Sequence, residues 1–380
     1  MRWVSQAWLR DHSGGELVLA IHEQQVRDAP DIAALAAAHA SIRLRPLRPL
    51  GGGSLLASGW AVRDSLRTVV AEHEPDNVLA LYLDHTQLAL ATRVPLTPGT
   101  SLSGVLFRPE LHYDALGSRE PTARGRLRRA RKAALLRAAL RHPQFSTLFS
   151  LDPMAVPALR HLSPRVRIEP LPDPAHVDAP REAPASVRHR FGVEPGRRLA
   201  LLFGHLSARK GVLQLLDALP HVGAESAGGL AILLAGRVDP AMREALDARL
   251  HALRRTTLTQ VLVHDAFLAH DEIQSVVAAA DLGLVPYQRH IGSSGVLMRA
   301  AAAGVPVLAQ DWGLMGHQVR RHRLGQAVDT SDPGAIAEAL ARFTAEPAAG
   351  FDHAEASRFA SSHTVEAFTS ALLRVVAPSA

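Results

Sequence analysis

DLGLVPYQRHIGSSGVLMRAAAAGVPVLAQDWGLMG, residues 281–316, carries the pattern around which the rest of the chain is arranged. Residues 278–285 form an apolar run closed by Pro286, which predicts a buried strand. The loop that follows ends in Gly292, Ser293, Ser294 and Gly295. Residues 296–303 are rich in Leu, Met and Ala and predict a helix. Gly304 and Pro306 stop it, and residues 305–309 predict the next strand. A small-residue loop that opens a helix leaves backbone N–H groups converging on one place, which suits a phosphate. The same residues would equally make a plain tight turn.

Length sets the scale: 380 residues predict about two or three domains. With 47% apolar and 21% charged residues, the chain can bury a sizeable core. No apolar run reaches the roughly 18 residues of a spanning helix. The first residues show no signal-peptide pattern, so a cytoplasmic location is expected. There is no Cys, which excludes disulfides, thiolate catalysis and cysteine-held metals. A net charge of +6, carried by Arg more than Lys, suits anionic partners. An aromatic content of 4% argues against a base-stacking surface, so no nucleic acid is expected.

Strand-like runs alternate with helix-like ones on both sides of residues 170–195, where Pro, Asp, Arg and Ala replace any periodicity. Alternation of this kind predicts right-handed βαβ units. The expected fold class is α/β, with two doubly wound parallel-sheet domains and a cleft between them. The boundaries are residues 1–175, a linker at 176–195, residues 196–352, and a last helical segment at 353–380 that returns to the first domain. Ligands in such sheets sit at the carboxyl ends of strands.

Four constellations stand at predicted strand ends or on helices. Gly204, His205, Arg209 and Lys210 follow the strand at 198–203 and place up to three cations together, enough for a diphosphate, unless they are a solvated basic turn. Gly236 follows the next strand. Asp84 and His85 close the strand at 77–83 and suit acid–base work or a sugar hydroxyl; the plain alternative is a helix cap. Arg108 and His112, with Tyr113, lie in a loop after another strand. Residues 124–141 form a basic helix suited to anionic lipid or to plain solvent. No metal-ligand pair of the H-E-x-x-H kind appears among the scattered histidines, so no metal site is expected.

The second half resembles the C-terminal domain of family-four retaining glycosyltransferases of the GT-B fold. The run Gly204-His205-Leu206…Lys210-Gly211 resembles that family's G-R-L-x-x-x-K-G. Gly304-Val305-Pro306-Val307, after an Ala-rich helix, resembles its E-A-M-A-x-G-x-P-V. The resemblance covers residues 198–343 well and the first half mostly in strand order. It implies a sugar transferred from a nucleotide diphosphate donor to an acceptor, retaining and metal-independent, with no cofactor beyond that co-substrate. Lys210, His205, Arg209 and the loop 292–295 would hold the diphosphate. The family's paired glutamates, E-x7-E, fall at Ile291 and Arg299, neither of them acidic. Its active-site histidine falls at Arg108, with His112 a helical turn on. Residues 3–10 already predict the end of the family's first helix, so the opening strand is not expected, either because the start is truncated or because the first domain is built differently; Gly51, Gly52 and Gly53 are a lesser candidate for its glycine loop.

The expected reaction is therefore transfer of a hexosyl-type sugar to a glycan, lipid or small-molecule acceptor. Peripheral contact with the inner membrane face through residues 124–141 goes with it. A nucleotide-sugar-binding protein without turnover, and a basic membrane-associated module, stand as the alternatives. Fold alone does not decide among them.

Overall fold

The computed structural model describes residues 1–11, 15–47, 55–117 and 122–376. Gly51 to Gly53 lie outside the described residues. The chain divides into two compact units. The first is Met1–Asp114, Arg119–Asp173 and Val365–Ala380; the second is Ala115–Ser118 and Pro174–Thr364.

In the first unit, β1 (Leu17–His22) pairs in parallel with β2 (Ile42–Leu47). A separate parallel sheet runs in the order β3 (Asn77–Ala80), β4 (Ser101–Leu106), β5 (Phe145–Ser150), β6 (Arg167–Pro170). Among the described residues no strand precedes β1 and nothing pairs β1 with β3. Helix Arg2–Asp11 precedes β1 in the chain. Its Val4 and Ala7 pack with Val105, Phe149 and Leu171, while its Leu9 packs on Leu19 and Ile21. One amphipathic helix thus feeds two apolar clusters, and each well-buried aliphatic side chain contributes roughly 1.5–3 kcal/mol. Phe368, Leu372 and Leu373 of helix Val365–Val376 join the first of these clusters.

The second unit holds β7 (Arg198–Phe203), β8 (Leu230–Ala235), β9 (Gln260–His264), β10 (Leu282–Val285), β11 (Val307–Gln310) and β12 (Gly325–Val328). They form one parallel sheet in the order β12-β11-β10-β7-β8-β9. Both faces are covered, which is why these strands read as continuous apolar runs. Leu199, Leu201 and Phe203 enter one core, and Ala200 and Leu202 the other, as the two-residue strand period requires.

Three sequence expectations need adjusting. Residues 176–195 are not a plain linker. Helix Pro184–Arg190 lies inside them, with Pro at its first turn, where a missing N–H is harmless. Its Val187 is fully buried, and Arg188 bonds Ala279 O and Asp281. The final segment is two helices. His353–Ser361 packs on helix Gly295–Ala302 in the second unit, and Val365–Val376 belongs to the first. Helix Gly313–Arg321 and β12 were not expected from the sequence. Two glycines obscure that helix, yet a Cβ on Gly316 would lie 2.1 Å from Asp311 O, so the packing demands the glycine.

Candidate active site

The second sheet has its topological switch point between β7 and β10. From there the strand order runs outward both ways, and the loops leaving these two strands stand where open α/β sheets take their ligands. Those loops are 204–211 and 286–295, the two that the sequence singled out. Their backbones touch: Gln288 N donates to Arg209 O at 2.8 Å. Gly211, at φ 71°, would bring a Cβ to 1.8 Å from Pro286 O. Gly236, at φ 147°, would bring one to 2.0 Å from Gly204 O. Glycine is thus required where three strand exits crowd together.

Two cations meet on one buried ring. Lys210 Nζ lies 5.4 Å, and Arg209 Cζ 5.5 Å, from the centre of Tyr287. Lys210 is buried and donates to Phe203 O at 2.6 Å. Burial, and then the neighbouring Arg209, pulls the Lys210 ammonium down to about 8. The Tyr287 phenol is pushed up by burial and shares a hydrogen bond with the Ser294 side chain. Arg209 Nη1 lies 3.1 Å from His290 Nδ1, whose Nε2 lies 3.0 Å from Ser293 O. Since Arg can only donate, His290 Nδ1 accepts, and Nε2–H donates to Ser293 O. Lys210, Arg209, Ser293 and Ser294 are therefore joined through Tyr287 and His290. Gly292 is buried at φ 96°, and Ser294 precedes helix Gly295–Ala302 without a side-chain cap, so the first amides of that helix keep their donors.

His205 stands apart from this group. It is exposed, with Nε2 3.7 Å from Asp239 Oδ2. Arg299 lies on the same helix as Gly295. Burial lowers its guanidinium, and the charge of Asp178 opposes that shift. Its Nη1 is buried without a hydrogen-bond partner. Ile291, at the other expected glutamate position, is half-buried.

In the first unit, β3 stops at Ala80, so Asp84 is a first-turn residue of helix Leu83–Ala91 and not a strand end. It does not cap that helix either. Its carboxylate accepts from Phe107 N at 2.9 Å and Arg108 N at 3.3 Å, fixing the exit of β4. His85 is exposed beside Tyr82, with ring centres 4.5 Å apart, and Arg108 is exposed. His112 is buried, with Nε2 2.9 Å from Oδ2 of the fully buried Asp152. Asp152 Oδ1 accepts from Met154 N at 2.9 Å. The structure thus joins Asp84 to Arg108 and gives His112 a carboxylate, without bringing His85 into the same group.

Several residues escaped sequence reasoning. Asp152 and His290 act as links, and linkage needs partners distant in sequence; Tyr287 was expected only as a strand-end residue. Phe267, 68% exposed, has Arg237 Cζ 6.0 Å from its ring at the exits of β8 and β9. The one signal for it was a large apolar residue just after a strand.

The basic helix is Ala123–Leu140, capped by Thr122. Part of its charge is internal: Glu110 pairs with Lys132 and Arg128, and Asp114 with Arg129 at 2.8 Å. Arg124, Arg126, Arg131 and Arg137 are exposed, as is Leu127 at 64%. No helix among the described residues is long and apolar enough to cross a membrane.

Residues 197–346, which span all of β7 to β12, match the family described as glycosyl transferases group 1. The chain is 27% identical over 342 residues to the GDP-mannose-dependent alpha-(1-6)-phosphatidylinositol monomannoside mannosyltransferase of Mycobacterium tuberculosis. That match covers 83% of this chain and 76% of that one. It is 30% identical over 173 residues to the phosphatidyl-myo-inositol mannosyltransferase of Mycobacterium leprae, covering 45% and 42%. Among solved structures, sucrose-phosphate synthase from Thermosynechococcus elongatus superposes with a TM-score of 0.69 at 17% identity, over 95% of this chain and 98% of that one. WaaG, a glycosyltransferase of lipopolysaccharide biosynthesis, gives 0.64 at 18% identity, over 96% and 100%. At such identities the structures speak for the fold alone. Family match, relatives and fold agree: residues 197–346 carry a group 1 glycosyl transferase domain, and the chain is similar to glycosyltransferases and shares their two-domain α/β GT-B fold.

Proposed function

We propose that the second unit binds a nucleotide diphosphate sugar at the exits of β7 and β10, and that the enzyme transfers its hexosyl-type sugar with retention to an acceptor bound on the first unit. The observation that carries this reading is the pair Lys210 and Arg209 on the Tyr287 ring, tied by His290 to the loop that opens helix Gly295–Ala302. A departing diphosphate gains negative charge as the glycosidic bond breaks. An ammonium, a guanidinium and helix-opening amides, linked through Tyr287 and His290, would stabilise that charge without reorganising. Arg299 Nη1 offers a further unpaired donor on the same helix. In the first unit, Asp152 lies within ion-pair distance of His112, while Asp84 holds the loop that carries Arg108. Incubation with uridine, guanosine and adenosine diphosphate sugars, followed by assay of the released nucleoside diphosphate, tests the reading. Release from one donor class is expected. Saturable binding of a donor with no release or transfer would favour a binding protein, the outcome that Ile291 and Arg299 make worth testing.

Proton linkage follows from the buried ammonium. The folded pKa of about 8 lies below the unfolded 10.5, so between those values the unfolded chain holds more protons. Stability of the protein alone therefore rises with pH across that window. A bound diphosphate favours the charged amine and raises its pKa. Above about pH 8, nucleoside diphosphate binding then takes up a proton, and affinity falls as pH rises. Calorimetry near pH 9 in two buffers of different ionisation enthalpy is expected to show this uptake, and to lose it in Lys210→Met.

The mannosyltransferase relatives bear names that point to phosphatidylinositol acceptors. We infer a lipid-linked acceptor here, with the exposed arginines of helix Ala123–Leu140 resting on anionic headgroups. Each arginine near such a surface contributes about 1 kcal/mol. Co-sedimentation with anionic vesicles is expected to exceed that with neutral ones and to fall with salt. Changing Arg124, Arg126, Arg131 and Arg137 to Gln is expected to weaken it at least tenfold. Equal sedimentation of the two proteins would remove this part of the reading.

A further inference from the structure

We propose that His176, Asp178 and His270 form a binding site for a divalent transition-metal ion of the zinc class. Among the described residues these three side chains each place one ligand atom within 4.8 Å of the others. The two imidazoles stack with ring centres 6.0 Å apart and planes 7° from parallel. His176 Nε2 already lies 3.0 Å from Asp178 Oδ1.

The ligand set selects the ion. Two imidazoles and one carboxylate suit Zn²⁺ and its neighbours, whereas Mg²⁺ and Ca²⁺ prefer oxygen alone. Metal–ligand bonds of about 2.0–2.2 Å require the three atoms to close by roughly an ångström. His270 is exposed and can make that adjustment by side-chain rotation. Three protein ligands leave a position for water, as in open zinc sites.

The scaffold is set for it. His176 and Asp178 are two apart in a segment without regular secondary structure, and their side chains meet there. That segment is pinned before them by Ala175 N to His363 O at 3.0 Å, and after them by Arg181 N to Ser275 Oγ at 2.8 Å. Ser275 lies on helix Ile273–Ala278, which His270 precedes, and Arg181 pairs with Asp271 beside it. An ion would clasp the segment before helix Pro184–Arg190 to the turn before helix Ile273–Ala278. Arg299 also acts on Asp178, so the ion competes with a guanidinium for that carboxylate.

The test is titration of the full-length protein with Zn²⁺ by calorimetry, and with Co²⁺ by its visible absorption. One equivalent is expected, with imidazole-type cobalt bands and a melting temperature raised by Zn²⁺. Asp178→Asn and His176→Ala are each expected to weaken binding at least tenfold. His270→Gln, at an exposed position, gives the same loss and guards against misfolding in the other two. Absence of saturable binding would overturn the proposal, as would unchanged affinity in the folded His270→Gln protein, which would assign the ion to other histidines.

Discussion

Replacing Lys210 by Met is expected to lower sugar transfer by about two to three orders of magnitude, the loss usual when one preorganised charge at a departing anion is removed. Met fills nearly the same volume, and the ammonium it replaces is buried and repelled by Arg209. The far-UV circular dichroism should be unchanged and the melting temperature should fall little, because the desolvation of a buried amine disappears with the amine. The two readouts must separate for the account to stand. Steady-state kinetics beside thermal melting checks this. A variant that melts normally and transfers at the parent rate would show that Lys210 does no chemistry. Lys210→Arg is not a safe substitute: Gly204 leaves space for an ammonium only, and a Cβ there would already lie 2.7 Å from Nζ.

Gly211→Ala is expected to destabilise the second unit by about 2–5 kcal/mol, combining a left-handed backbone with a collision. Residue 211 sits at φ 71°, and the added methyl would meet the carbonyl oxygen of Pro286, a backbone atom that side-chain rotation cannot move. Relief requires parting loops 204–211 and 286–295, which also parts Arg209 from His290. Binding of nucleoside diphosphate should fall together with the urea midpoint. Gly228→Ala is the control: it is helical, nothing lies within 4 Å of its added Cβ, and alanine there should be neutral or stabilising by up to about 1 kcal/mol. If both variants unfold at the same urea concentration, the crowding of the two loops is not what holds them.

The positions of loops 204–211 and 286–295 were legible because their signals are local. An apolar run, a glycine and a helical run in succession mark a strand exit whatever the rest of the chain does. The doubly wound class was legible for the same reason. What stayed hidden depended on partners far away. Asp84 has the residue type of a cap, but only the arrival of β4 gives its carboxylate the amides of Phe107 and Arg108. His112 showed no sign of Asp152, since the two meet at the exits of adjacent strands. The proline-rich stretch around residue 184 has the composition of a linker, and only tertiary burial of Val187 makes it a helix. Short β12 and the glycine-bearing helix Gly313–Arg321 were hidden because close packing, not propensity, specifies them. His176 and His270 were two histidines among 20, and spacing along the chain said nothing of their stacking.

The most direct measurement is isothermal titration of the full-length protein with uridine, guanosine and adenosine diphosphates, in parallel with Lys210→Met. One of the three is expected to bind the parent at a single site, and the variant to bind it at least tenfold more weakly while remaining folded. Equal affinity in parent and variant, or no binding of any of the three by the parent, would contradict this expectation.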